Sequence, residues 1–232
     1  MTARLPLTAE RRIHDGSAAL SRQLLAKNRV FAVSIFGGPG TGKTSLLEAT
    51  LPRIGKRART AVILGNLEAE QDARRLSKHC GQIIPIETID LTPELLHEAI
   101  ARLDLAATDI LFIERGAETP PHSLDLGQSA TVGLFSLTGG DDKVRHHPER
   151  VEHADLVLLS KIDLLPFVPF DTNRFHDSVR IMNPSATILN VSITTGQGMD
   201  AWCDWLLSQA DQCRRHGEQG SLTPGEADYF IG

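Results

Sequence analysis

Seven short runs of mostly apolar, often β-branched residues punctuate the chain: Val30–Phe36, Thr60–Gly65, Gln82–Glu87, Asp109–Glu114, Thr131–Leu137, Asp155–Ser160 and Thr187–Ser192. Several are apolar almost without interruption, the pattern of strands buried on both faces of a parallel sheet rather than the alternation of a half-exposed one. Between them the periodicity lengthens. Residues from about Ala9 to Asn28 carry Ile13, Leu20, Leu24 and Leu25 near helical spacing. Ser45–Ala49 reads as a helix start, with Pro52–Arg59 as the basic connection after it. Thr92 followed by Pro93 has the form of an N-cap with proline at the first helical position, leading into Leu95, Leu96, Ala99 and Leu103. A last helix spans about Gly198 to Gln212, with Trp202, Leu206 and Ala210 on one face. Pro85 marks the third run as a sheet edge or a strand end. Strands alternating with helices predict an α/β fold, doubly wound around a mostly parallel, seven-stranded sheet.

At 232 residues the chain fits one such domain. The expected division is a helical extension over 1–29 packed on the domain, the domain itself over 30–212, and a polar tail over 213–232. A net charge of −5 argues against a general nucleic-acid binder or an anionic-membrane binder. Cys80, Cys203 and Cys213 are far apart and form no Cys-x-x-Cys pair. That fits a reducing compartment and gives no zinc-site signal. The first residues have no apolar signal core and no run is long enough to span a bilayer, so a cytoplasmic location is expected.

The chemistry starts after the first strand. Gly37-Gly38-Pro39-Gly40-Thr41-Gly42-Lys43-Thr44 fits Gly-x-x-x-x-Gly-Lys-Ser/Thr, the phosphate loop of P-loop NTPases, in its proper place between a strand and a helix. Glycines let successive N–H groups turn inward as an anion nest at a helix N-terminus. Gly38, Pro39, Gly40, Thr41, Gly42, Lys43, Thr44 and Ser45 are therefore the phosphate-binding candidates. Lys43 supplies a compact charge to the β- and γ-phosphates, and the Thr44 hydroxyl is an oxygen ligand suited to Mg²⁺. Glu114 ends the fourth strand at the edge where ligands sit in open α/β sheets, within reach of the same ion. Asn66 to Leu76 gathers acidic and amide groups at the end of the second strand; Asp72 there is either a site group or the cap of a helix.

Ser160-Lys161-Ile162-Asp163 follows the sixth strand and resembles the Asn-Lys-x-Asp motif of GTPases. Guanine offers N1–H and N2–H₂ as adjacent donors, which an ionised Asp accepts together. Adenine offers no such pair. Ser192-Ile193-Thr194, after the seventh strand, stands where GTPases place the loop that meets the guanine O6. Ser160 departs from the usual Asn, which bridges base and phosphate loop, so a lower affinity is expected. An ATPase of similar fold would require Asp163 to be idle.

These motifs, with Gly65-Asn66-Leu67, Asp125-Leu126-Gly127, Asp142-Lys143, Ile162–Asp171 and Thr195-Gly196-Gln197-Gly198, resemble the hydrogenase nickel-incorporation (maturation) GTPase family. The urease accessory GTPases are close relatives. The resemblance runs from about Ile13 to Leu207. It implies GTP hydrolysis to GDP with Mg²⁺, a homodimer in the GTP-bound state, and work alongside a second maturation factor on an apo-metalloenzyme. By the same resemblance Lys43, Thr44, Asn66 and Glu114 form the catalytic set, with Asn66 replacing the family's usual Asp. Thr44 and Glu114 serve Mg²⁺, and Lys161 and Asp163 read guanine.

The metal chemistry departs from the family. Thr92 and Pro93 stand where the family has a Cys-His pair, and Glu118–Pro121 stands one residue short where another family cysteine belongs. Ni²⁺ and Zn²⁺ want thiolate or imidazole donors, so the inherited site is expected to be lost and either metal is left open. His122, shared between two copies of a dimer, and the group His146, His147 and His153 are the replacement candidates. Arg115 and Arg145 lie near the nucleotide edge and are read as surface arginines. A module that binds GTP and hardly hydrolyses it, carrying no metal, is the competing reading.

Overall fold

The computed structural model describes residues 7–116 and 125–219. Seven strands, β1 (Phe31–Gly37), β2 (Thr60–Asn66), β3 (Gln82–Glu87), β4 (Ile110–Arg115), β5 (Ala130–Ser136), β6 (Leu156–Ser160) and β7 (Thr187–Val191), form one sheet in the order β3-β2-β4-β1-β5-β6-β7. Every pairing is parallel. The chain winds outward from β1 in both directions, so the C-terminal ends of β1, β2 and β4 meet at one crevice and those of β5, β6 and β7 at its continuation. The central strands β1, β4, β5 and β6 are buried at every position, which is why their sequences do not alternate. Pro85 lies on β3, an edge strand, where a missing N–H is tolerated.

The helices are α1 (Leu7–Lys27), α2 (Lys43–Ile54), α3 (Ala69–Leu76), α4 (Pro93–Ile100), α5 (Lys143–His146), α6 (Glu149–Glu152), α7 (Thr172–Met182) and α8 (Met199–Gln219). On one face α2 and α8 bury Leu46, Leu47, Leu51, Trp202, Leu206 and Ala210 against the sheet. The Trp202 indole N–H donates to Thr50 Oγ1 at 2.9 Å, so the largest buried side chain leaves no polar atom unmet. The other face carries α1 and α4. Residues of α1 meet α4 through His14 Nδ1 and the Glu94 carboxylate at 2.9 Å and through Ser21 and His97 at 3.2 Å. Arg22 forks onto Asp125 at 2.7 and 2.8 Å. Gly127 sits so close beneath α1 that a Cβ there would lie 2.3 Å from the Ala18 carbonyl oxygen, and its φ of +86° also suits only glycine. The Asp125-Leu126-Gly127 motif thus seats the N-terminal helix.

Several sequence-based boundaries move. α2 runs through Pro52 to Ile54, with the proline in its last turn, rather than stopping before it. α3 begins at Ala69, so Asp72 is inside the helix and is not its cap. α4 ends at Ile100, short of Leu103. The stretch Gly139–Lys143, read from sequence as a turn, leads directly into α5. α7 has no counterpart in the sequence-based reading, and α8 continues to Gln219, so the expected tail boundary at 213 falls inside a helix.

Thr92 and Pro93 open α4 as the sequence suggests. Thr92 is extended (ψ 159°), its hydroxyl accepts the Leu95 N–H at 3.4 Å, and Pro93 follows at the first helical turn. Thr92→Ala should cost about 1 kcal/mol of stability and lower the melting midpoint by roughly 2–4 °C for a chain of this size. Thermal unfolding followed by circular dichroism checks it, and an unchanged midpoint would remove the cap's contribution.

Candidate functional site

The phosphate loop leaves β1 and enters α2 with Gly40 and Gly42 at φ +68° and +93°. These left-handed turns, open to glycine, aim the backbone inward. Gly37 is constrained differently: a Cβ there would stand 2.4 Å from the Leu134 carbonyl oxygen of β5. Lys43 folds back on the loop, its Nζ donating to Gly37 O at 3.0 Å. Burial lowers its pKa, opposed by the Glu114 carboxylate and reinforced by the charge of Arg150.

Three elements bring oxygen atoms to the mouth of this loop. Thr44 Oγ1, on α2, lies 2.9 and 3.1 Å from the two Glu114 oxygens at the end of β4 and 3.1 Å from Asp72 Oδ2 on α3. Asn66 Nδ2, at the end of β2, is 3.4 Å from both carboxylates. One hydroxyl proton cannot satisfy all of these contacts, so the cluster carries an excess of acceptors. Glu114 is only 2% exposed, and desolvation raises its pKa to about 7 despite the nearby Lys43 ammonium. A crowded, desolvated set of hard oxygens fits Mg²⁺, which takes one or two carboxylates together with phosphate oxygens. Arg75 holds the outer side of the cluster, with Nη1 3.4 Å from Asp72 and Nη2 2.7 Å from Glu48. The adjoining cavity, about 450 Å³, is lined by Pro39, Lys43, Asn66, Leu67, Ile89 and Gly116 among others.

The base-reading candidates converge on the other side of the loop. Lys161, itself at φ +62°, reaches Gly40 O at 2.7 Å. Ser160 Oγ donates to Thr41 O at 2.8 Å. The serine therefore keeps the link to the phosphate loop that its replacement of Asn put in question. The Ser192 hydroxyl donates to Asp163 Oδ1 at 2.6 Å and accepts the Thr195 N–H at 3.1 Å. Ser192 thus anchors the carboxylate and closes its own loop, leaving Ile193 packed on the core and Thr194 exposed. All the phosphate-loop, base and Mg²⁺ residues expected from the sequence lie along one sheet edge.

Two residues add to the set expected from sequence. Asp72, which the sequence leaves open as a cap or a site group, belongs to the oxygen cluster because α3 starts early enough to turn it inward. Arg150, on the short helix α6, places Nη1 3.4 Å from the position of a Cβ on Gly38. Arg115 is not a surface residue. It is fully buried at the end of β4, and burial lowers its pKa to about 10 against the opposing field of Asp90. Arg145 is exposed as expected. The histidines after β5 separate: His146 pairs with Asp142 at 3.2 Å, whereas His147 lines a cavity beside the phosphate loop. His122 and Glu118–Pro121 lie outside the described residues. Among the described residues no group of three or more His, Cys, Asp or Glu could hold a metal ion, and no helix is long and apolar enough to cross a membrane.

Comparison with known proteins supplies the lineage. The hydrogenase maturation factor HypB of Escherichia coli strain K12 is 36% identical over 196 residues, covering 83% of this chain and 68% of its own length. The probable hydrogenase maturation factor HypB of Methanocaldococcus jannaschii is 33% identical, covering 86% and 90%. Among solved structures, HypB from Archaeoglobus fulgidus superposes with a TM-score of 0.79 at 28% identity, covering 86% of this chain and 99% of that one. HypB from Helicobacter pylori in complex with nickel gives 0.78 at 28%, covering 86% and 95%. The signal recognition particle receptor FtsY of Elizabethkingia anophelis shares the fold alone, at a TM-score of 0.53 and 9% identity. Residues 31–190, from the first strand to the seventh, match the model of the CobW/HypB/UreG nucleotide-binding domain, and the chain belongs to that family as a homologue of the hydrogenase maturation factors.

Proposed function

We propose that this protein is a GTPase that hydrolyses GTP to GDP with Mg²⁺ and acts as a nucleotide-switched accessory factor in nickel insertion into a hydrogenase-like apo-enzyme. The carrying observation is the Asp163 carboxylate held by Ser192 at 2.6 Å on the same edge as the phosphate loop. It is a fixed acceptor for the paired donors of guanine. Lys43 and the backbone N–H groups of Gly38 and of Gly40 to Ser45 would bind the phosphate chain, with Pro39, which has no N–H, shaping the loop. Thr44, Glu114 and Asp72 would hold Mg²⁺, which supplies charge neutralisation at the β- and γ-phosphates when bound. Glu114 would serve the ion as a carboxylate, although burial raises its pKa to about 7. The nickel context comes from the relatives: the Helicobacter pylori HypB structure contains nickel. With Thr92 and Pro93 serving as a helix cap here, the reading places the metal on a second maturation factor, with a GTP-bound homodimer gating its transfer.

A second reading is a GTP-binding module with little turnover. Its specific support is Asn66, whose amide nitrogen faces both carboxylates and so cannot act as a base toward water. Steady-state phosphate release with Mg²⁺ separates the two. Turnover above buffer, lost in Lys43→Ala, supports the GTPase; release equal to buffer with a maturation partner present supports the module. Equilibrium dialysis of the GTP-analogue-loaded protein against trace Ni²⁺ addresses cargo. About one ion per dimer, by the two-copy logic of a shared ligand set, would mean a replacement site and make His122→Ala the next variant. No bound ion supports a switch whose partner carries the metal.

A further inference from the structure

The phosphate loop has a second cavity, about 490 Å³, on the side away from the oxygen cluster, with Pro39 and Gly40 lining both. The apex of the loop is therefore a thin wall between two spaces. The second space is basic: Lys143, His147, Arg150 and Lys161 line it. Lys161 is occupied in holding the loop, and Lys143 and His147 are rooted on α5 and the turn after it. Arg150 brings a second charged end onto the loop, at Gly38 rather than at Gly40 where Lys161 sits.

The placement is built into the packing. A Cβ on Gly133 of β5 would stand 2.8 Å from the Arg150 carbonyl oxygen, so α6 lies directly on that glycine. The next residue, Val151, is fully buried in the core. The Arg150 backbone is thus fixed from below, and its side chain runs over the loop to put Nη1 3.4 Å from where a side chain on Gly38 would begin. The guanidinium occupies the space that the absent side chain leaves. It comes near enough to Lys43 for the two positive charges to oppose each other. Two cations brought together across one phosphate loop are separated most favourably by an anion lying between them.

We infer that Arg150 is a second phosphate-binding cation, which reaches over Gly38 to the terminal phosphate of a bound nucleoside triphosphate from the side opposite Lys43. This deepens the proposed GTPase function and rests on it. A guanidinium is suited to the task because its planar fork meets two phosphate oxygens at once and stays charged when desolvated. It answers a need that Arg115, buried in the sheet, and Arg145, exposed on α5, cannot meet.

A diphosphate lacks the group that Arg150 addresses, so the signature is discrimination between nucleotides rather than affinity alone. Binding of Mg-GDP and of a Mg-loaded, non-hydrolysable GTP analogue is measured by titration calorimetry on the wild type, Arg150→Ala and Arg150→Lys. The expected result is about a tenfold loss of analogue affinity in Arg150→Ala, a change of less than about twofold for GDP, and an intermediate loss in Arg150→Lys. Equal losses for both nucleotides, or no loss for either, would overturn the inference and leave Arg150 a packing residue. Because the two affinities are compared within one protein, partial unfolding of a variant shifts both and leaves their ratio readable. The wild-type titration tests the underlying reading separately. A preference for ADP and an ATP analogue overturns guanine recognition, and the Arg150 comparison is then made on that pair. A wild type that binds no purine nucleotide overturns both.

Discussion

Asp163→Asn should move nucleotide preference from GTP to xanthosine triphosphate. On the proposed function the Asp163 carboxylate, steadied by Ser192, would accept from the N1–H and N2–H₂ of guanine. An amide in its place sets its own N–H₂ against the guanine amino group, so two donors face each other and one acceptor is lost. Xanthine carries an oxygen where guanine carries that amino group, and the amide then matches it in both positions. Sites built around a hydrogen bond reject the mismatched partner by large factors because the polar groups are left unpaired. The expected loss of GTP affinity is on the order of 10³-fold, with a gain for xanthosine triphosphate of comparable size. Competition titrations with the three purine triphosphates measure it. Melting of the nucleotide-free protein should change little, since Asp163 is half-exposed and Ser192 can still donate to an amide oxygen in its place. An unchanged GTP preference would mean that Asp163 does not face the base.

The fold is readable from sequence where one force dominates. Central strands such as Leu156–Ser160 are buried at every position, and that environment favours runs that are apolar up to their C-terminal ends. The helix α7 escapes a sequence reading because its buried stripe is thin: Phe175 and Val179 are the main core residues on an otherwise polar segment. Its start does carry a signal, since Asp171 caps it through the Asn173 and Arg174 amides. Asp72 is ambiguous for a related reason. A shift of four residues in where a helix begins changes an acid from a cap to an inward-facing member of the oxygen cluster, and helix starts are among the least legible features of a sequence. Arg115 misleads because a charged residue at a strand end is ordinarily solvated; here β4 is flanked by β1 and β2, and the side chain is covered. Arg150 has no readable signal, because its place depends on a four-residue helix lying on Gly133. The phosphate loop and the candidate base-reading motif are legible because their residues are contiguous in sequence. The groups that complete them come from elements whose approach only the packed sheet determines.

Glu114→Gln should separate stability from function in opposite directions. With its pKa raised to about 7 from 4.5, the Glu114 carboxyl is protonated in the empty folded protein over a range where the unfolded chain has already released the proton. The folded state then binds the extra proton, so stability falls as pH rises from about 4.5 to about 7 and levels off above. The cost of forcing this buried acid to ionise is on the order of 3 kcal/mol. Glutamine has nothing to ionise. The variant should melt higher than the wild type at pH 8, and the difference should shrink toward pH 5. Function should move the other way, because the substituted side chain offers Mg²⁺ a neutral amide in place of a carboxylate beside Thr44 and Asp72. Turnover should drop on the order of 10²-fold, with a higher Mg²⁺ requirement. Mg²⁺ with nucleotide should also raise the melting midpoint of the wild type more than that of the variant, since a ligand stabilises only the state it binds. Thermal melts across pH, with and without Mg²⁺ and nucleotide, read the stability effects, and phosphate release against Mg²⁺ concentration reads the rest. Parallel pH slopes in the two proteins would remove Glu114 as the titrating group, and an unchanged Mg²⁺ requirement would remove it from the metal's shell. The two results together would mean that the protein keeps a buried acid at its centre for some purpose other than Mg²⁺, whereas the expected pair ties the instability of the empty site directly to its affinity for the ion.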